Sequence, residues 1–174
     1  MTAKLRTPLI VMGVSGSGKS TIGEALSRAF GVPFVDGDDL HPSANKRKMA
    51  AGQPLDDEDR APWLEIIAFR IGAELAGGTP IVVACSALRR RYRDQLVAHA
   101  PETVFVHLVG GAELITERQH GRVHEYMPVS LLASQFEALE PLGDGERGIE
   151  IDVRRSPAQI VDDVRAALDA LPQA

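Results

Sequence analysis

Short apolar runs rich in β-branched residues recur at Leu9 to Met12, Val32 to Val35, Ile81 to Cys85, Thr103 to Val109 and Gly148 to Val153. Each has the length and composition of a strand. Between them the apolar positions fall at helical spacing. Ile22, Ala25, Leu26, Ala29 and Phe30 repeat in this way until Gly31 supplies a stop. Trp63, Ile67, Ile71 and Leu75 mark one face of a helix that begins after the acidic stretch Asp56 to Asp59 and ends at Gly77-Gly78. Ile160, Val161, Val164, Leu168 and Leu171 mark the last helix. Strands alternating with helices predict an α/β fold, a parallel sheet covered by helices on both faces, and the near-continuous apolar strands agree with burial on both sides. Two polar segments interrupt the pattern. Residues 37–60 are charged and punctuated by Pro42, Gly52 and Pro54, and residues 118–128 are rich in Arg, His and Glu. Both are expected at the carboxyl ends of the strands, where open α/β sheets bind ligands, one as a substrate-binding insertion and the other as a lid.

The first strand runs into Gly13-Val14-Ser15-Gly16-Ser17-Gly18-Lys19-Ser20, which fills the pattern G-x-x-x-x-G-K-[ST], and Thr21 follows as the helix begins. A strand, a glycine-rich turn and a helix in this order make a P-loop. The glycines let successive N–H groups face a concavity, the helix adds its positive end, and Lys19 adds a point charge on the phosphates. Ser20 is placed to reach a magnesium ion. The chain therefore reads as a nucleotide-dependent phosphotransferase or as an NTPase.

The 174 residues suit a single domain spanning 1–174, large enough to bury a core without disulfides or structural metal. Cys85 is the one cysteine and lies inside an apolar run, so it is expected to be a buried thiol in a reducing cytoplasm. No run approaches a membrane span, which argues against a membrane partner. The net charge of −5 argues against a general nucleic-acid surface. Basic islands at Lys46-Arg47-Lys48 and at Arg89-Arg90-Arg91 with Arg93 run against that average. They are either anion contacts or solvated helix faces.

A P-loop enzyme needs a carboxylate near its metal, and the run Ile81 to Cys85 ends in Ser86 rather than an acid. The run Val32 to Val35 instead leads into Asp36-Gly37-Asp38-Asp39. Asp36 is expected to serve the magnesium shell with Ser20, and Asp38 to face the acceptor hydroxyl as base or orienter, with Gly37 allowing a tight turn. The alternative is a solvated Asp/Gly turn.

Phe34-Val35-Asp36-Gly37-Asp38-Asp39-Leu40-His41-Pro42, then Asn45, Lys48-Met49, Gly52, Pro54-Leu55, Asp57, Asp59-Arg60 and Pro62-Trp63-Leu64 resemble the gluconokinase family. So do Cys85-Ser86-Ala87-Leu88 with Tyr92-Arg93-Asp94, and Leu131-Leu132 with Ser134-Gln135-Phe136 before Leu139-Glu140-Pro141. The resemblance runs in order from about Val11 to Pro141. It implies transfer of phosphate from ATP to D-gluconate, a three-layer P-loop kinase fold like that of the shikimate and nucleoside monophosphate kinases, with a five-stranded parallel sheet, and commonly a homodimer.

Gluconate is a polyol carboxylate, so its site needs a cation at one end and hydrogen-bonding groups along the hydroxyls. Lys48, Arg60, Arg89 and Arg93 are the candidate carboxylate partners, and Asp38, His41, Asn45 and Ser86 the candidate hydroxyl readers. For each of the last three a structural role stands beside the functional one: His41 or Ser86 capping a following helix, Asn45 solvated on a helix face. Lys19 holds the phosphates from below, and Arg118 and Arg122, four residues apart, are the expected lid arginines from above. Inside the lid the chain departs from the family's Arg-x-Gly-His-Phe with Arg122-Val123-His124-Glu125-Tyr126, so no role passes to His124. Related kinases border the adenine with the loop after the last strand, here Asp152 to Pro157. The competing readings are a shikimate-type kinase of the same fold and a nucleotide-binding regulatory module.

Overall fold

The computed structural model describes residues 4–120 and 129–172. Five strands, β1 (Leu9–Met12), β2 (Phe34–Asp36), β3 (Val82–Ala84), β4 (Val104–Val109) and β5 (Gly148–Asp152), form one sheet in the order β2-β3-β1-β4-β5. Every pairing is parallel, with Leu9 of β1 opposite Val82 on one side and Val104 on the other. The helices are α1 (Lys19–Phe30), α2 (Ser43–Ala50), α3 (Asp57–Ala76), α4 (Arg90–Leu96), α5 (Ala112–His120), α6 (Val129–Ala138) and α7 (Pro157–Ala170).

Because side chains alternate across a strand, β1 divides its residues between two cores. Leu9 and Val11, with Val82, Val104 and Val106, pack on the side of α1 and α7, where Ile22, Leu26, Ile160 and Val164 are buried. Ile10 and Met12, with Val83 and Phe105, pack on the side of α3 and α4, against Trp63, Ile67, Ile71 and Leu96. This is the doubly covered sheet that the apolar strands predict.

The boundaries differ where local chemistry intervenes. The second strand starts at Phe34, after Pro33, whose carbonyl still accepts from Val82 N–H at 3.0 Å, and it runs on through Asp36. The acidic stretch lies within the first turn of α3 rather than before it, because Asp56 is the cap and forms a reciprocal capping box with Asp59. Ser86 does not cap a helix. The chain turns through Ala87 at φ 46° and α4 begins only at Arg90. Gly37 is needed for a reason other than a left-handed turn, since a Cβ there would lie 2.6 Å from the Ala84 carbonyl oxygen.

Candidate active site

The site begins at the carboxyl end of β1. Gly13, Gly16 and Gly18 adopt φ of +147°, +80° and +94°, values that a side chain resists. A Cβ on Gly13 would also meet Ser17 Oγ at 2.8 Å. Gly18 caps α1 without a side chain, so the first-turn N–H groups stay available to an anion. Lys19 Nζ reaches back across the loop to the Val14 carbonyl at 3.0 Å, and the Ser86 carbonyl accepts from Gly13 N–H at 3.3 Å, joining the end of β3 to the loop.

Two glutamines to which the sequence alone assigns no role close on this loop. Gln135 of α6 accepts from Ser15 N–H at 2.7 Å, and Gln119 of α5 donates to Ser15 Oγ at 3.4 Å. No spacing rule links positions so far apart in the chain; only the Ser134-Gln135-Phe136 block pointed to either.

Asp36 ends β2 beside the P-loop. Ser20 Oγ donates to Asp36 Oδ2 at 2.5 Å, and the other carboxylate oxygen accepts from Asp38 N–H at 3.0 Å, capping the one-turn 3-10 helix Gly37–Leu40. A hydroxyl beside a carboxylate is a hard oxygen pair of the kind magnesium takes together with phosphate oxygens. Among the described residues no group of three or more His, Cys, Asp and Glu side chains could by itself hold a metal. The residues present thus suit a metal that arrives with a nucleotide.

Beyond Asp36 the insertion is anchored on α3. Trp63 donates its indole N–H to the Gly37 carbonyl at 2.7 Å, and His41 stacks on the Trp63 ring at 4.0 Å between centroids. His41 does not cap the helix that follows, whose N-cap is Pro42; its N–H closes the 3-10 turn on the Asp38 carbonyl instead, and Asn45 is not solvated, both side chains being buried. Asn45 donates to the Asp59 carbonyl at 2.8 Å and faces His41 Nδ1 at 3.3 Å. Burial, then the charges of Arg60 and Lys46, push the His41 imidazole down to about 4. Asp38 Oδ1 stands 3.9 Å from His41 Nε2, with its own side chain largely in solvent.

The expected cations divide. Lys48 pairs with Asp59 and, at 3.6 Å, with Asp56; the hydrogen bond to Asp59 raises the Lys48 ammonium and lowers that carboxyl. Arg60 donates to the Leu55 carbonyl and lies 5.7 Å over the Tyr92 ring, while Tyr92 binds Asp57. Arg89 caps α4, and the Asp57 carboxyl is lowered by the Tyr92 hydrogen bond first, then by the charges of Arg91 and Arg89. Arg93 does not face the mouth as expected. It is 1% exposed, paired with Glu146 at 2.6 Å, and it donates to the carbonyls of Ala87, Leu88, Glu140 and Pro141. Its fork ties α4 to the segment before β5, which is a structural task.

Arg118, in the last turn of α5, donates to the Val153 carbonyl at 2.7 Å. Arg122, His124 and Tyr126, and with them most of the expected lid 118–128, lie outside the described residues. In the loop expected to border adenine, Arg154 is paired with Asp152, Arg155 with Asp163, and Ser156 caps α7. A cleft of about 630 Å³ opens beside it, between Val109 to Leu114 and Glu150 to Arg154.

A sheet in the order β2-β3-β1-β4-β5 with a complete P-loop at the end of β1 and an acidic turn at the end of β2 defines a P-loop kinase. The comparisons narrow this. The family model described as AAA domain matches residues 9–142. A probable gluconokinase of Xenopus tropicalis is 42% identical, with 92% of this chain and 93% of that protein covered. The thermosensitive gluconokinase of Escherichia coli K12 is also 42% identical, over 94% and 88%. The crystal structure of a gluconokinase from Sinorhizobium meliloti 1021 superposes with a TM-score of 0.87 at 45% identity, covering 97% of this chain and 94% of that one. A shikimate kinase from Aquifex aeolicus, 16% identical with a TM-score of 0.62, shares the fold alone. The chain belongs to this AAA-domain family and, within it, to the gluconokinase family.

Proposed function

We propose that this protein transfers the γ-phosphoryl group of ATP to D-gluconate, forming 6-phospho-D-gluconate, with Mg2+ held by Ser20 and Asp36. The observation that carries the proposal is the hydrogen bond of 2.5 Å from Ser20 to Asp36. It joins the nucleotide-binding loop to the turn that bears Asp38, so donor and acceptor meet across one short gap. Family membership, on relatives named as gluconokinases, supports the choice of acceptor.

In this scheme the P-loop N–H groups and Lys19 cradle the phosphates. Ser20 and Asp36 would hold Mg2+, which when bound would supply charge neutralisation on the phosphate oxygens. Asp38 receives the proton of the attacking hydroxyl while its oxygen bonds to phosphorus and the bond to ADP breaks. Lys48, Arg60 and Arg89 on the insertion and α4 are the cations for the gluconate carboxylate, and Asp38, Asn45 and Ser86 line the approach of its hydroxyls, with His41 behind Asp38. Arg118 and Arg122 close over the transferred group and exclude water. A homodimer in the cytoplasm is part of the same proposal, on family resemblance and on Cys85 being a free buried thiol.

The test is ADP release from ATP and Mg2+ with D-gluconate, other sugar acids, shikimate and nucleoside monophosphates as acceptors. Turnover with gluconate above the others supports the assignment. Turnover with a different acceptor moves the substrate, and nucleotide binding without acceptor-dependent turnover overturns the enzyme reading.

A further inference from the structure

We infer that His41 is a neutral positioning residue, its single ring proton fixed on Nε2 by Asn45 and aimed at the Asp38 carboxylate. The inference deepens the gluconokinase reading and rests on it for its kinetic consequences.

The chain of reasoning starts at a group that has no choice. The Asp59 carbonyl only accepts, and an Asn45 amide atom lies 2.8 Å from it, so that atom is the nitrogen. Turning the amide over would set two oxygens against each other. The same nitrogen lies 3.3 Å from His41 Nδ1 and presents its second hydrogen there. Nδ1 therefore offers a lone pair, and the proton of the neutral ring sits on Nε2. Nε2 faces Asp38 Oδ1 at 3.9 Å.

The two partners differ in burial. The imidazole is stacked on Trp63, which is itself tied to Gly37, so the ring is held on both its face and its edge. The Asp38 side chain is 82% exposed, and a shift of about 1 Å would bring Oδ1 within hydrogen-bond reach of Nε2–H. Catalytic hydrogen bonds of this sort are commonly long before substrate arrives.

The consequence is a division of labour. Protonating Nδ1 would place N–H against N–H, in the same sense as the burial and the Arg60 and Lys46 charges that already disfavour the cation. His41 thus donates and does not accept the substrate proton. As the acceptor oxygen bonds to the γ-phosphorus and ADP leaves, the hydroxyl proton passes to Asp38, and His41 keeps its own. Its donated hydrogen bond occupies one carboxylate oxygen and leaves the other directed at the acceptor.

Two measurements test this. Long-range ¹H–¹⁵N correlation spectra of the ¹⁵N-histidine-labelled full chain, with His41 assigned by its loss in H41Q, should show the Nε2–H tautomer at neutral pH and persistence of the neutral ring to about pH 5. An Nδ1–H tautomer, or titration near pH 6.5, overturns the proposal. Steady-state kinetics with D-gluconate compare H41N, which can replace only Nδ1, with H41Q, whose amide nitrogen reaches the Nε2 position. H41N should lower kcat by about tenfold or more with the gluconate KM changed less than about threefold, and H41Q should recover most of that loss. Equal losses in both variants, or a rise in KM alone, overturn the positioning role. The spectrum needs no turnover, so a protein that phosphorylates no sugar acid would sink the substrate assignment while the tautomer is still decided.

Discussion

Lys19, Ser20 and Asp36 lie within one hydrogen-bonded corner of the molecule, yet each has a separable task. Lys19→Ala removes the point charge at the phosphates without touching either core, so ADP formation should fall by at least about a hundredfold while the melting temperature stays close to that of the parent. Activity near the parental level would remove the P-loop from the chemistry. Asp36→Asn keeps the shape and the acceptor for Ser20 but loses the negative charge, and the Mg2+ concentration for half-maximal turnover should rise; an unchanged requirement would place the metal elsewhere. Cys85 marks the opposite extreme. Burial pushes its thiol up to about 12, so the nucleophilic thiolate is scarce and enclosed. A thiol reagent should leave the folded protein unmodified and label it fully in denaturant, and fast labelling under native conditions would contradict that burial.

At the scale of elements, the insertion and α3 act as one unit. Asp56 and Asp59 cap α3, Lys48 reaches both from α2, Asn45 binds the Asp59 carbonyl, and Trp63 holds the turn after β2. The insertion is therefore mounted on α3, the longest of the described helices, rather than on a free loop. On the other flank Arg93 fastens α4 to the segment preceding β5 through Glu146. Both partners are almost wholly buried, so Arg93→Met should leave the Glu146 charge with Arg90 at 3.7 Å and the Gly143 N–H in place of its close partner, and cost about 3–5 kcal/mol in urea unfolding. Because Arg93 does not face the mouth, the gluconate KM of the remaining folded protein should stay within about twofold of the parent. A large KM change with parental stability would return Arg93 to the substrate site.

For the whole molecule, acid is the informative variable. His41 is held down at about 4, and burial also lowers His107, which lies in β4 with Nδ1 3.7 Å from Glu150. Unfolded histidines bind a proton near pH 6.5, so between that value and about 4 the unfolded chain takes up protons that the folded chain refuses. This contribution to stability is complete above pH 6.5 and is lost as the pH falls toward 4. Urea midpoints should therefore decline through that window, and H41Q should flatten the decline. A parental curve that stays level from pH 7 to pH 4.5 would show that the ring is protonated in place.

Much of this was legible along the chain. The strand order alone was not, but the five apolar runs, the glycine stops and the P-loop pattern specify an α/β kinase, because periodicity and backbone permissiveness are local properties. The Asp36 and Asp38 assignment followed from the same logic, since an acid was required near the metal and the third strand offered none. What the sequence could not decide was commitment. Arg93 and Arg60 look alike as isolated cations, and only the packing of α4 against the segment before β5 uses up one guanidinium while leaving the other near the mouth. Gln119 and Gln135 meet Ser15 across more than a hundred residues, and no local pattern announces them. His41 carries the clearest case. Its place before Pro42 suggested a cap, whereas the tertiary structure stacks it on Trp63 and sets its tautomer through a backbone carbonyl of another helix. The sequence by itself determined which elements form and which chemistry they can bear, because those depend on neighbours in the chain. The tertiary structure decided which polar groups stay available to a ligand, because that depends on partners brought together only by folding.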